Sequence, residues 1–152
     1  MSHQQIAPFK IMGISVRTTN ENGQAMKDIP ALWNRFMSEG IADKIPNKIE
    51  KSIYCIYTDY EKDHTKPYST IIGCRVAHLD NIPADIIGET FSGGNYVQFT
   101  AKGNLLQGAV YNEWTKIWNA DLARTYTADF EVYNEKAQNP EDVAVDIFIA
   151  IY

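Results

Sequence analysis

The sequence predicts an α+β fold: two pseudo-symmetric βαββ halves forming antiparallel sheet, with two helices and a central cleft. Three observations lead to it. Runs of alternating apolar and polar residues, the pattern of half-buried strands, outnumber the stretches with helical spacing. The order strand, helix, strand, strand over about residues 6–79 recurs over about 94–152. Setting Trp33 against Trp114 also sets Phe36 against Ile117 and Met37 against Trp118, so the two helices share a pattern. A crossover helix in each half lays helices on sheet, and a cleft is expected where two related halves meet. Residues 1–152 are expected to form one domain.

Taken in order, Ile6 to Thr18 alternates and reads as the first strand. Asn22-Gly23 marks a turn. Asp28 offers an N-cap and Pro30 suits a first helical turn, so a helix is expected near 29–41, with Ile29, Leu32, Trp33, Phe36, Met37 and Ile41 on one apolar face. Gly40 and Pro46 close it. Strands follow at Ser52 to Asp59 and Tyr68 to Ala77, around a polar turn. Asp80 to Gly94, carrying Pro83, Gly88 and Gly93, reads as a connector. Asn95 to Lys102 alternates again, and Asn104 with Gln107 resembles a capping box opening a helix near 105–120. Thr127 to Asn134 and Val143 to Tyr152 are the last strands.

Composition narrows the function. A chain of 152 residues can bury a core without staples. Nine Tyr, six Phe and three Trp are enough to pack that core and line a pocket, and the polar tip of Tyr suits the second task. A net charge of −5 argues against a direct nucleic-acid surface, which needs clustered Lys and Arg, and favours cationic or neutral partners. Cys55 and Cys74 sit inside apolar runs and read as buried strand thiols. No CxxC spacing occurs, and His3, His64 and His78 are scattered, so neither metal nor cofactor is expected. The N-terminus lacks the basic and apolar regions of a signal peptide, and no apolar run would span a bilayer. A cytoplasmic protein with no membrane contact is expected.

Chemistry concentrates in Asp129-Phe130-Glu131-Val132-Tyr133-Asn134. Alternation puts Phe130 and Val132 on one face and Glu131 with Tyr133 on the other. A solvated strand glutamate is the ordinary reading of such a residue. A carboxylate beside aromatic surface is also a receptor for an organic cation. Trp33, Trp114 and Trp118 lie on apolar helix faces, where core packing and a cleft wall are both served.

Several stretches together resemble one family. Tyr54-Cys55-Ile56-Tyr57-Thr58-Asp59-Tyr60-Glu61 is similar to its first hairpin, and Ile82-Pro83 follows as the family's Ile-Pro does. Asn95 to Gly103 resembles its strand ending in Gly, Tyr111 to Trp118 its aromatic second helix, and Phe130-Glu131-Val132-Tyr133 its Phe-Glu-x-Tyr strand. The family is the gyrase-inhibitor-like small-molecule-binding domain, also called the AraC-type or bacterial transcription activator effector-binding domain. The resemblance implies a pair of SH2-like units with a ligand cleft between them and a glutamate, here Glu131, that receives lipophilic cations among aromatic rings. Carried over by position, the ligand-binding set is Glu131, Tyr54, Tyr111, Trp114, Trp118, Phe99 and Tyr133, with Trp33 added from the internal repeat. Family members are often fused to a DNA-binding helix-turn-helix; these residues hold none, so a stand-alone domain is expected. Cys55 stands where the family more often has Gly.

The resemblance thus implies a non-enzymatic binder of small lipophilic or cationic effectors, in transcription regulation or in drug and toxin sequestration. Two other readings differ in class. Glu131 could act as general base, with Tyr54 or Tyr111 as acid, in hydrolysis of an electrophile. Or the domain could engage a protein partner, a transcription factor or gyrase. An open aromatic trough favours binding, a closed polar pocket favours catalysis, and a filled cleft favours the partner.

Overall fold

The computed structural model describes residues 2–152. In chain order the elements are β1 (Ser2–Ile6), β2 (Phe9–Thr18), α1 (Ala25–Ser38), the single-turn α2 (Ile41–Lys44), β3 (Ile53–Thr58), β4 (Tyr68–Val76), β5 (Ile87–Phe91), β6 (Gly94–Gly103), α3 (Ala109–Asn119), β7 (Ala128–Tyr133) and β8 (Val143–Ala150). All eight strands join one antiparallel sheet in the order β1-β6-β8-β7-β3-β4-β2-β5. The inner six read as β2-β4-β3 from the first half against β7-β8-β6 from the second. The fold is therefore α+β with two matching halves, joined where β3 meets β7.

Register at that seam fixes everything above it. Cys55 lies opposite Glu131, Ile56 opposite Phe130 and Tyr57 opposite Asp129. Cys55, Tyr57, Asp129, Glu131 and Tyr133 therefore share one face, because successive side chains alternate across a strand. That face carries both helices. Leu32 and Phe36 of α1 pack on Met12, Ile14, Cys55, Ile72 and Cys74, while Trp114 and Ile117 of α3 pack on Ala101, Val145, Ile147 and Ile149. The other face holds a third cluster of Phe9, Ile11, Tyr54, Ile56, Ile71, Tyr96 and Phe130, with no helix over it.

The sheet covers that face itself. β1 belongs by sequence to the first half but pairs with β6, and β5, which leads into β6, pairs with β2. The two pairings keep one continuous register, with Ile6 opposite Gly94 and Phe9 opposite Phe91. The halves thus exchange their leading strands, and the two nominal sheet edges are tied together where the exchanged strands cross. Gly93 sits at the crossing with φ +72°, and a Cβ there would come within 2.1 Å of the Ile6 carbonyl oxygen.

Several elements differ from the sequence expectations, each for a local reason. Ala7-Pro8 divides the first strand into β1 and β2. The connector contains β5, whose pairing to β2 is long-range and leaves no clear alternation in so short a run. The first helix starts at Ala25, so Asp28 is inside it and caps nothing. Its carboxylate instead accepts bonds from Thr18 Oγ1 at 2.9 Å and Gln24 Nε2 at 3.0 Å, tying the helix to the end of β2. Pro30 lies in the helix interior, where it supplies no N–H to the Met26 carbonyl. Met37 is exposed, and Ile41 belongs to α2 after the left-handed Gly40. In the second half, the Asn104 side chain accepts from Leu106 N in a 3-10 turn, and left-handed Gly108 separates that turn from α3.

Two predictions follow from this packing. Gly93→Ala and Gly23→Ala both force a side chain into a similar positive φ, but only Gly93 is crowded; Gly23 has nothing within 4 Å. Gly23→Ala should cost about 1 kcal/mol, and Gly93→Ala should cost at least about 2 kcal/mol more, read from urea unfolding. Cys55 and Cys74 are free and buried, and burial pushes both thiols above the usual range. A thiol reagent should find no fast-reacting group in the native protein and two after denaturation. Two fast groups in native protein would contradict this packing.

Candidate ligand-binding site

A cavity of about 600 Å³ opens on the helical face over the β3–β7 seam. Its floor is Tyr57 of β3 with Glu131 and Tyr133 of β7. One wall is α1, contributing Met26, Ile29, Pro30 and Trp33; the facing wall is α3, contributing Val110, Tyr111, Trp114 and Trp118. The same helical spacing that buries Leu32, Phe36 and Ile117 in the core turns the neighbouring rings toward the cavity. Met26, Leu106 and Tyr111 are strongly exposed and form an apolar rim.

Glu131 is the chemical centre. It is 1% exposed, yet no lysine, arginine or histidine pairs with it among the described residues. Three neutral donors hold it instead. Tyr57 OH donates to Oε2 at 2.8 Å, Trp114 Nε1 donates to Oε2 at 2.7 Å and Tyr133 OH donates to Oε1 at 2.6 Å. Burial raises its carboxyl above the usual carboxylate range, and the bonds from Tyr133, Tyr57 and Trp114 oppose that rise. The tyrosines are themselves pushed upward by burial and by the nearby acid, so they stay protonated and donating.

Aromatic rings surround the carboxylate in edge contacts. Trp33 meets Tyr133 at 4.9 Å between centroids, Tyr57 meets Trp114 at 5.4 Å and Tyr68 at 5.9 Å, all close to perpendicular. Trp118 sits 6.2 Å from Trp114 and is stacked on His64, which reaches over from the β3–β4 loop.

Asp129, two residues before Glu131 on the same face, makes an instructive contrast. It is fully buried, accepts from Arg124 Nη2 at 2.8 Å and Tyr60 OH at 2.6 Å through Oδ2, and accepts from Ala150 N at 2.8 Å through Oδ1. Asp129 has its cation built in. Glu131 does not.

Of the residues named from the sequence, Glu131, Trp33, Tyr111, Trp114, Trp118 and Tyr133 line this cavity. Tyr54 does not. It projects from the opposite face of β3 into the third cluster, where its hydroxyl donates to Glu50 Oε1 at 3.0 Å and burial pushes its pKa up to about 12. The β3–β7 register puts Tyr57 on the face of Glu131 in its place, diagonal to it and within hydrogen-bond reach, since Tyr54 and Tyr57 have opposite parity. Phe99 also stands apart. β6 lies outside β8, away from the seam, and Phe99 packs beneath α3 with Ala101 and Ile117. Sequence reasoning missed Tyr60, Tyr68, His64 and Arg124, which enter from loops and strand ends. The only signal for the first three was aromatic density around the first hairpin, and Arg124 had none. Among the described residues no group of three His, Cys, Asp or Glu could hold a metal ion, and no helix is long and apolar enough to cross a membrane.

Comparison with known proteins identifies the fold. An integron cassette protein from the mobile metagenome of Vibrio cholerae is 31% identical over 99% of this chain and 95% of its own, with a TM-score of 0.76. The structure of SAV2435 bound to tetraphenylphosphonium shares the fold at 21% identity and a TM-score of 0.80, over 99% of this chain and 93% of that one. YobU of Bacillus subtilis (strain 168), described as a candidate transcriptional regulator, is 28% identical over 146 residues, 93% of this chain and 91% of its own length. The family model of Cass2, the integron-associated effector binding protein, matches residues 4–151. Nearly the whole chain is covered, and it belongs to the Cass2 family of effector-binding proteins, within the gyrase-inhibitor-like fold that its Phe-Glu-x-Tyr strand resembles.

Proposed function

We propose that residues 1–152 form one effector-binding unit that reversibly takes a lipophilic organic cation into the cleft between its halves. The carrying observation is the buried Glu131, held by neutral donors alone in an aromatic cavity while Asp129 beside it owns a fixed arginine. A desolvated carboxylate without a counter-charge is costly, and a cation entering the cavity relieves that cost. The donors also say which cations fit. Both Glu131 oxygens already accept hydrogen bonds, two at Oε2 and one at Oε1, so the acid offers its charge and little more than one further acceptor position. A primary ammonium would lose its hydration with little in return. A phosphonium, a quaternary ammonium or a delocalised dye sheds little hydration and gains cation–π contact of about 0.5–2 kcal/mol per ring. The tetraphenylphosphonium bound by SAV2435, of the same fold, is a ligand of this class.

The binding reading is favoured over hydrolysis by the same bonds. A general base must reach a proton, and here three donors already occupy most of the acceptor positions of the carboxylate. Relatives named as effector-binding or regulatory proteins support a non-enzymatic role. Regulation of transcription through a partner protein, or sequestration of a toxic cation, is the output we infer.

The test uses tetraphenylphosphonium and tryptophan fluorescence, because Trp114 and Trp118 line the cavity. Glu131→Gln should weaken phosphonium binding about ten- to a hundredfold, while uncharged triphenylphosphine oxide is affected far less. Equal binding by both proteins would remove the charge from the account.

The pH dependence has a definite sign. Glu131 carries a raised pKa without ligand, and a cation favours its anion, so affinity should rise as pH rises through that value, with proton release on binding. The fall on acidification should begin above the pH expected for an ordinary glutamate, about 4.3, and be absent in Glu131→Gln. Stability without ligand should move oppositely. A raised acid pKa contributes stability at low pH that is lost as pH rises through the folded value. Glu131→Gln should therefore melt above the parent at pH 8, with the gap closing toward pH 4; a gap independent of pH would refute the assignment.

A further inference from the structure

The cavity has a second polar feature that the Glu131 reading leaves unused. Arg124 lines it, and its side chain is only 4% exposed. One guanidinium nitrogen, Nη2, is spent on Asp129. The other two, Nε and Nη1, are buried with no hydrogen-bond partner. Orphaned donors of a buried charged group are rare because each forfeits its hydration. His64 lines the same cavity, and its Nδ1 is likewise buried and unpartnered. Both side chains are held in place independently of any ligand. Arg124 lies over the Tyr126 ring at 4.3 Å, and His64 stacks on Trp118 with 10° between the planes. The main-chain carbonyl of His64 is fixed by Asn20 Nδ2 at 2.8 Å, and the Asn20 side chain in turn accepts from Tyr68 OH at 2.6 Å.

We propose that Arg124 and His64 form an acceptor subsite, so that the effector is a lipophilic cation carrying an uncharged oxygen acceptor, a carbonyl or hydroxyl, at one end. This rests on the cation reading above and narrows it. The spacing follows from β7. Asp129, which anchors Arg124, and Glu131 project from one face two residues apart, so their anchor points lie roughly 7 Å apart along the floor. The cationic centre and the oxygen should be separated by about that distance. Charge accounting selects an uncharged oxygen. Arg124 is already neutralised by Asp129, and Glu131 adds negative charge nearby. A carboxylate would meet net repulsion, whereas a carbonyl dipole meets the unspent Arg124 donors and, in the tautomer with the proton on Nδ1, that of His64. Burial and the Arg124 charge lower the His64 pKa, which keeps its ring neutral beside the guanidinium.

Three matched probes test this: (4-acetylbenzyl)-, (4-isopropylbenzyl)- and (4-carboxybenzyl)triphenylphosphonium. The first two have nearly the same shape and differ in the oxygen; each places its substituent about one strand repeat from phosphorus. The acetyl probe should bind the parent protein about tenfold tighter than the isopropyl probe, and the carboxylate probe should gain nothing over isopropyl. Arg124→Lys keeps a charge beside Asp129 while removing the guanidinium fork, and His64→Phe keeps the stack on Trp118. In Arg124→Lys the ratio of acetyl to isopropyl affinity should fall to about one, whatever the change in isopropyl affinity itself; His64→Phe should reduce the ratio. Equal binding of acetyl and isopropyl probes by the parent overturns the subsite and leaves the cation reading standing. So does an advantage that survives both substitutions, and a carboxylate probe that binds best overturns the uncharged acceptor. If the isopropyl probe itself fails to bind, the cation reading falls and the subsite falls with it.

Discussion

A buried carboxylate without a counter-ion organises this molecule. Glu131 sits at the seam between the two halves, and each of its donors comes from a different element: Tyr57 from β3, Trp114 from α3 and Tyr133 from β7 itself. The three bonds lock the second-half helix to the floor and span the halves at the central β3–β7 junction. They also leave the charge half-served. Hydrogen bonds from neutral groups hold an anion in place but supply no opposing charge, and in low dielectric that difference is large. The site is thus rigid and electrostatically unfinished at once. A pre-organised receptor needs both properties, because it pays little ordering entropy when the ligand arrives.

The neighbouring acid shows what the finished state looks like. Asp129 uses an arginine, a tyrosine and a backbone amide to satisfy both oxygens. Breaking such a buried pair typically costs about 3–5 kcal/mol, so Asp129 belongs to the fold. One strand face thereby carries two buried acids in opposite settings, one paired with an arginine of the chain and one held by neutral donors alone. Their sequence spacing alone does not separate these roles.

That limit runs through what the sequence made legible. Helical faces were readable because Leu32, Phe36, Trp114 and Ile117 recur at the helix period, and the strands because alternation is local. The family resemblance drew out Glu131 and the aromatic helix for the same reason: those motifs are short and contiguous. Register is not local. Tyr54 and Tyr57 differ in parity, and β3 is apolar on both faces, so its own residues do not announce which face meets the ligand. Only pairing with β7 decides it, and Tyr57 holds the position that Tyr54 was expected to fill. Phe99 went astray similarly, since its strand lies two places from the seam. β1 and β5 escaped because their identity as strands depends on partners far along the chain. Arg124 and His64 come from connecting segments, where no periodicity points inward.

The exchange of β1 and β5 between halves bears on how the protein is born. Ser2 pairs with Gln98, so nearly two-thirds of the chain must leave the ribosome before β1 finds its partner. Until then its backbone has no ladder, and its first four side chains, Ser-His-Gln-Gln, are of the kind that tolerates waiting in water. Closing so long a loop adds little to the equilibrium cost, since each doubling of length adds only about 0.6 kcal/mol. The delay falls on folding rate instead. Because the floor of the cavity needs β7 and its wall needs α3, nascent chains that stop short of β7 offer an effector nothing to hold. The cavity itself therefore exists only once the chain has been made through β7.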